Sequence, residues 1–282
     1  MNRLTFLHQL SAVLILAMLG AMPARAADAT PAEAVPASTA EPGAAPSEPE
    51  KPKVRVAIPG NLYASLEAYE PKGIFVEAVD ALLKQAGMSP AYLNMPTGEA
   101  IREVRKGGVD VATVVVPVPS LQEGVLLSDP LVTEFNVVAT LRGKGFELNA
   151  MSDLRGKRIA ARQGYRYPLL EKDTSLNMTR YRTDGEMIRA LLFADADVAI
   201  MSGVSDIHAF RAEGIMSRLE VLKSAVGVVP LVAVFSKKRF KAEDIERFNQ
   251  DLAKFKEGPE WKTILDRNGL ADLVHDWPVL KN

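Results

Sequence analysis

The sequence predicts an α/β protein with two lobes, because one short pattern occurs in each half of the chain. The first copy is Gly107–Ala112 followed by Leu127–Leu131, and the second is Asp153–Ala160 followed by Asp195–Ile200. In each copy a glycine turn or a short acidic pair comes directly before an apolar strand, as where an α/β unit resumes its parallel sheet after a helix. Two such units predict two lobes, and two lobes predict a cleft between them.

The amino-terminal residues predict export to the periplasm. Arg3, the apolar run Leu10–Leu19 and Ala24–Ala26 supply the charge, the core and the cleavage site of a secretory signal peptide over residues 1–26. The apolar run is shorter than a membrane span. After cleavage we expect a protein that is not embedded in the membrane.

Composition separates a linker from the folded part and narrows the choice of partners. Residues 27–52 are almost entirely Ala, Pro, Glu, Ser and Thr without aromatics, which predicts a disordered linker. The chain has no cysteine, which excludes disulfides and a lipid-attachment cysteine. Without Arg3 and Arg25, the 34 basic residues become 32 against 35 acidic ones, a net charge of −3. Nucleic-acid binding needs a basic face, so a small-molecule partner is expected instead.

The first part of the folded region predicts alternating strands and helices. Strands are expected at 54–58, 90–93 and 109–116, and helices at 73–87 and 98–106. The first strand alternates in polarity and stops before Pro59, whereas the third is a nearly continuous apolar run typical of the middle of a parallel sheet. The helix 73–87 has apolar residues at helical spacing and ends at Gly87. The β-α-β-α-β order predicts three parallel strands joined by right-handed crossovers.

The pattern then starts again. Strands are expected at 135–141, 158–161, 178–182, 198–201 and 228–235, and helices at 167–172, 185–193, 204–213, 243–256 and 261–268. The helix 243–256 places Ile245, Phe248, Leu252 and Phe255 on one face. The last extended stretch returns the chain to the first lobe. The expected lobes are therefore 53–140 with 230–282, and 141–229, and the two crossings between them form a hinge.

Four motifs give the chain a family resemblance: Gly73–Val79, Gly108–Asp110, Leu127–Leu131 and Asp153–Lys157, with Gly164 closing the strand after the last. In this order they resemble family 3 periplasmic solute-binding proteins, which serve ABC importers of amino acids. The resemblance implies the two-lobed type II periplasmic binding fold, each lobe a mostly parallel sheet flanked by helices, with two hinge crossings. It also implies a small-molecule ligand and an inner-membrane ABC permease as partners.

The sequence departs from the family at the residues that hold α-amino acids. The family's carboxylate-binding arginine falls near Leu121, and no arginine occurs from Leu121 to Ser128. Its ammonium-binding aspartate falls on Ser202. The usual amino-acid clamp is therefore absent or rebuilt.

Candidate ligand-binding residues follow the carboxyl ends of the predicted strands, where ligands bind in open α/β sheets. They are Asn61, Tyr63, Thr97, Pro117, Ser120, Gln122, Gly164, Tyr165, Arg166 and Ser202. Arg166 is expected in a turn that opens a helix, where its guanidinium and free backbone amides would meet one anion; the alternative is a solvated surface arginine. For Tyr63 and Tyr165 the alternative is packing within a lobe. Asp206 is expected to cap a helix.

No catalytic, metal or cofactor site is predicted. His208 and His275 lack neighbouring ligands, and no nucleophile, phosphate-binding or dinucleotide motif occurs. We therefore expect a periplasmic substrate-binding protein that closes on a small polar or anionic ligand and delivers it to an ABC-type importer. One alternative is a sensor or protein-interaction module with a degenerate cleft. The other is a periplasmic enzyme of the cyclohexadienyl dehydratase type, which would need a buried carboxylate with a raised pKa in the cleft.

Overall fold

The computed structural model describes residues 51–121 and 123–280. The predicted signal peptide, the linker up to residue 50 and Gln122 lie outside these residues. The strands are β1 (Lys53–Ile58), β2 (Ser65–Glu67), β3 (Glu70–Lys72), β4 (Ser89–Asn94), β5 (Val111–Val115), β6 (Val125–Leu127), β7 (Val132–Leu141), β8 (Arg158–Arg162), β9 (Asn177–Tyr181), β10 (Val198–Ser202) and β11 (Leu219–Ser236). The helices are α1 (Ile74–Gln85), α2 (Thr97–Lys106), α3 (Asp184–Leu192), α4 (Ser205–Ala212), α5 (Ala242–Glu257) and α6 (Pro259–Arg267).

Nine of these strands form one sheet in the order β4-β1-β5-β11-β7-β10-β8-β9, with β6 beside β11. The first parallel set is β4-β1-β5 and the second is β10-β8-β9. The parallel strands predicted over 54–116 are confirmed. Strands β7 and β11 run antiparallel between the two sets.

Strand β11 joins the two parallel sets along its own length. Its first part, Leu219–Leu231, pairs with β7, and its last part, Val232–Ser236, pairs with β5 and β6. The sequence predicts only residues 228–235 of this strand. Glu220, Lys223 and Ser224 interrupt the apolar run that would have revealed the rest.

The core consists of the sheet's apolar faces and the helices that cover them. Phe75, Val79 and Leu83 of α1 are fully buried, as their helical spacing predicts. Phe235 at the end of β11 packs edge-on against Phe240 and Phe248, with ring centroids 5.2 and 5.0 Å away. Fully burying one such side chain contributes roughly 2–3 kcal/mol.

Gly73 fixes the loop before α1. Its φ is +107°, and a Cβ there would lie 2.5 Å from the carbonyl carbon and oxygen of Tyr63. The same carbonyl accepts hydrogen bonds from the amides of Phe75 (2.9 Å) and Val76 (3.3 Å) at the start of the helix. Any other residue at 73 would push the Tyr63 loop away, so the glycine positions this tyrosine.

Two local predictions are wrong or incomplete. The helix expected at 167–172 is only a 3₁₀ turn at Leu170–Lys172, because Tyr167 is buried and its hydroxyl accepts a hydrogen bond from the Arg162 amide at 3.0 Å. The β2–β3 hairpin is not predicted at all. Its turn uses Ala68 and Tyr69 at φ +48° and +69°, positions where glycine or asparagine would have signalled a turn.

The last described residues form a tail that runs parallel to β11 at Ala225. The Ala225 amide donates to the Pro278 carbonyl at 2.7 Å, and the Leu280 amide donates to the Ala225 carbonyl at 2.9 Å. Trp277 lies against Gly203, where a Cβ would be 3.3 Å from the indole Nε1. The tail therefore connects α6 to the part of β11 that pairs with β7. Across residues 51–121 and 123–280, no helix combines the length and the apolar character needed to cross a membrane.

Candidate functional site

A cavity of about 400 Å³ lies where the carboxyl ends of both parallel sets meet β7 and β11. Its lining comes from both sets and from the two strands between them: Asn61, Tyr63, Val114, Val116, Val118, Glu134, Asn136, Gly164, Tyr165, Arg166, Ser202, Ser205, Val229 and Leu231. A groove of about 620 Å³ beside α1 is larger, but it lies on the outer surface among charged side chains. The carboxyl-end cavity is the candidate site because ligands of α/β sheets bind at this edge.

Six of the ten predicted site residues line this cavity: Asn61, Tyr63, Gly164, Tyr165, Arg166 and Ser202. Whether they bind a ligand stays a prediction. Gln122 lies outside the described residues.

Three predicted residues, Thr97, Pro117 and Ser120, are not in the lining. Thr97 begins α2, and the Ser120 carbonyl accepts a hydrogen bond from Arg105 at 2.8 Å. After β5, Val116 and Val118 line the cavity and Pro117 does not. This is expected because successive side chains of an extended chain point to opposite faces.

Two buried polar atoms in the lining have no hydrogen-bond partner among the described residues. They are the hydroxyl of Tyr63 and Oδ1 of Asn136, and each side chain is only 6% exposed. Tyr63 is held by an Asx turn, in which Oδ1 of Asn61 accepts from the amides of Tyr63 (3.0 Å) and Ala64 (3.2 Å). Buried polar groups are nearly always paired, so two unpartnered atoms in one lining are unusual.

The opposite wall is built on the start of α4. Oε2 of Glu134 accepts from the Val204 amide at 3.1 Å, and Oε1 accepts from the Ser205 amide at 3.3 Å. The Ser202 hydroxyl oxygen accepts from the same Ser205 amide at 3.0 Å and from the Ser205 hydroxyl at 2.8 Å. Burial raises the pKa of Glu134, although hydrogen bonds from Ser202, Ser205 and Val204 oppose the rise.

A second buried carboxylate lies behind this wall. Oδ2 of Asp206 accepts from the Ser202 amide at 2.8 Å, so it has the local structural role that its position predicts. Burial raises the pKa of Asp206 to about 7, against the hydrogen bond from Ser202, and the nearby charges of Asp184 and Glu134 add to the rise. Arg162 pairs with Asp184 at 2.8 Å, which assigns this arginine to a structural ion pair.

The helix expected to begin at Arg166 is wrong, because no helix begins at this turn. The Arg166 side chain is 72% exposed and lies 3.6 Å from Glu171. The buried carboxyl groups nearest the cavity are those of Glu134 and Asp206. Whether the cavity binds an anion stays a prediction.

Val114 has an unusual backbone at the edge of the cavity. Its φ is +56°, a left-handed conformation that a β-branched residue rarely adopts and that costs about 1–3 kcal/mol. It faces the register shift between Val232 and Val234 of β11. Strain of this kind concentrates at functional sites, which is a second reason to place the site here.

Sequence reasoning missed the residues that β7 and β11 contribute. Glu134 and Asn136 stand two apart in an otherwise apolar strand, so they share one face of it. That alternation is the signal that would have found them.

Glu134 also bears on the enzymatic alternative, since it is a buried carboxylate with a raised pKa in the lining. Both of its oxygens already accept backbone hydrogen bonds, and the lining holds no histidine, lysine or second carboxylate to share acid–base work. The described partners of Glu134 are therefore structural ones.

Comparison with known proteins establishes the fold. No family model matches the sequence, and no curated protein matches it. The L-cystine solute receptor of Neisseria gonorrhoeae, in its unliganded open conformation, is 14% identical with a TM-score of 0.66, over 80% of this chain and 96% of the receptor. A histidine kinase sensor domain with similarity to periplasmic binding proteins is 17% identical with a TM-score of 0.56, over 77% of this chain and 95% of that domain.

The BvgS periplasmic domain of B. pertussis is 17% identical with a TM-score of 0.66 over 79% of this chain. The match spans only 43% of that BvgS chain. At these identities the likeness shows the fold alone. The chain has the two-lobed type II periplasmic binding fold that the sequence predicts.

Proposed function

We propose that this protein binds a small molecule in the cavity between its two lobes and closes around it. The observation that carries the proposal is the pair of unpartnered buried atoms, the Tyr63 hydroxyl and Oδ1 of Asn136, in a cavity lined from both parallel sets. A ligand that pairs with both atoms and touches both lobes is bound best in the closed form, so binding favours closure.

The cavity has the size and chemistry of a small-molecule site. Its volume of about 400 Å³ lies within the usual range for ligand pockets, which are mostly apolar with a few polar groups that fix orientation. The lobes are proposed as 53–140 with 230–282, and 141–229, with β7 and β11 as the hinge. Closure then brings the Tyr63 loop toward the start of α4.

Delivery to an ABC-type importer from the periplasm is the role we propose for the closed form. Its support is the fold shared with the gonococcal cystine receptor and the signal peptide predicted over residues 1–26. A sensor role is the second candidate, because the same fold occurs in a histidine kinase sensor domain. The two roles differ in what recognises the closed form: a permease in one case, a signalling partner in the other.

Ligand binding is tested by a thermal-shift screen of amino acids, amides, amines and organic acids, followed by calorimetry and small-angle scattering. A binder is expected to raise the melting temperature and lower the radius of gyration. Tyr63→Phe removes only the unpartnered hydroxyl and should weaken affinity about two- to tenfold, the range for one hydrogen bond. Tyr69→Phe is the matched control, because Tyr69 is 95% exposed and outside the cavity.

The proposal fails if no compound in the screen shifts the melting temperature. It also fails if the affinity of a binder is the same in wild type, Tyr63→Phe and Asn136→Ala.

A further inference from the structure

We propose that Glu134 is a built-in anion at the amino terminus of α4, and that it excludes ligands with a carboxylate from the cavity. The inference rests on the proposed ligand-binding function and names the substrate class: an uncharged or cationic compound with an apolar body. It assigns Glu134 a role in specificity.

The geometry of the α4 terminus carries the first step. The first amides of a helix have no partner within the helix and, together with the helix dipole, attract an anion. In this protein the amides of Val204 and Ser205 point at the two oxygens of Glu134, which reaches them from β7, 70 residues earlier in the chain. The place that a ligand carboxylate would take is already filled by a side-chain carboxylate.

Burial makes this occupation permanent in the folded protein. Glu134 is only 7% exposed and Asp206, the next carboxylate, only 5%. A ligand carboxylate brought to this wall would lose its water and would find the α4 amides already bonded to Glu134.

The described cations do not offset that cost. Arg162 is paired with Asp184, and Arg166 is largely in solvent beside Glu171. An anionic ligand would therefore arrive at the acidic wall without a buried basic partner there.

The rest of the cavity fits an amphipathic compound without a carboxylate. Oδ1 of Asn136 accepts a donor such as an amide or ammonium N–H, and the Tyr63 hydroxyl can donate or accept. Gly227 keeps the Asn136 amide in place, because a Cβ at 227 would lie 2.5 Å from its Oδ1. Five aliphatic side chains surround the apolar body: Val114, Val116, Val118, Val229 and Leu231.

Chemical rescue by acetate tests the role of Glu134 without knowledge of the natural ligand. Glu134→Ala removes the built-in anion and should lower the melting temperature, because the Val204 and Ser205 amides then keep only the Ser202 hydroxyl oxygen as an acceptor. Sodium acetate should then restore part of the loss, whereas acetamide should not, and neither should change the wild type. Sodium chloride keeps the ionic strength equal in all samples, so that general screening cancels.

Glu134→Ser is the second variant in case Glu134→Ala does not fold. Its short polar side chain leaves space for acetate and carries no charge, so acetate should stabilise it in the same direction by a smaller shift. Acetate that stabilises the wild type as much as the variants would overturn the inference, and so would a lack of acetate effect on both variants. Neither result would change the outcome of the ligand screen with Tyr63→Phe. A failure of the Glu134 inference can therefore be distinguished from a failure of the proposed ligand binding.

Discussion

The two lobes contain the same arginine–aspartate pair at the amino ends of their strands. In the first parallel set, Asp110 before β5 accepts from the amide of Arg55 at 2.8 Å and from its Nη2 at 2.9 Å. In the second, Asp197 before β10 accepts from the amide of Arg158 at 2.8 Å and from its Nη2 at 2.7 Å. Each pair ties two neighbouring parallel strands in register, but the Asp110 side chain is 6% exposed and that of Asp197 38%.

The carboxyl ends of the same strands have diverged. Strand β5 leads through the strained Val114 to aliphatic side chains, whereas β10 ends at Ser202 and continues into α4 with its acidic wall. The comparison teaches that the repeated motif maintains the scaffold, whereas the ends that differ line the cavity.

The largest expected effect is a pH dependence of stability caused by Asp206, which follows the end of β10. Because the pKa of Asp206 is raised to about 7 from about 3.9 in the unfolded chain, the folded state binds this proton more tightly. The free energy of unfolding should therefore fall as pH rises from about 4 to about 7, by up to about 4 kcal/mol, and level off above that. Urea unfolding of the wild type and of Asp206→Asn should be measured across this pH range. The free energy of unfolding should fall less steeply with pH in the variant. Equal slopes would show that another group causes the pH dependence.

The next prediction compares the two arginine–aspartate pairs, which differ in how deeply the aspartate is buried. Asp110→Ala leaves the Arg55 amide and guanidinium without their buried acceptor, and should lower the free energy of unfolding by about 3 kcal/mol. Urea denaturation at pH 7 measures it. A loss no greater than that of Asp197→Ala would show that burial does not distinguish the pairs.

Asp197→Ala should cost less, about 1 kcal/mol, because water already reaches this carboxylate. Hydrogen bonds from Arg158 lower the pKa of Asp197 to about 2. Its contribution should therefore be present above about pH 4 and be lost as pH falls toward 2. Melting curves between pH 2 and pH 5 should show this loss in the wild type and not in Asp197→Ala.

The smallest expected effect concerns salt. Raising sodium chloride from about 0.1 M to about 1 M should weaken the coupling of Arg158 to Asp197 by a few tenths of a kcal/mol and that of Arg55 to Asp110 by less. Double-mutant cycles at both concentrations measure the two couplings. If salt weakened the buried pair more, the exposure difference would not explain their behaviour.

The scaffold could be predicted because its signals are local. Periodicity placed α1 and α5, and the acid before each buried strand marked both restarts of the sheet. The cavity was predicted only in part, because its chemistry depends on contacts between distant residues. Glu134 meets α4 across 70 residues, and Tyr167 cancels a helix by reaching back to β8. Arg166 was predicted to lie where a turn opens a helix, and without that helix its side chain is 72% exposed.

The carboxyl-terminal tail has a mechanical consequence. Because α6 packs on α1 and the tail is hydrogen bonded to β11 at Ala225, a third link runs alongside β7 and β11. Two flexible links allow both bending and twisting, whereas a third, offset link leaves fewer independent rotations. We expect a swing of the proposed lobes beyond the slack of Trp277–Leu280 to break the two backbone bonds at Ala225. In that case the tail would limit how far the lobes can move apart.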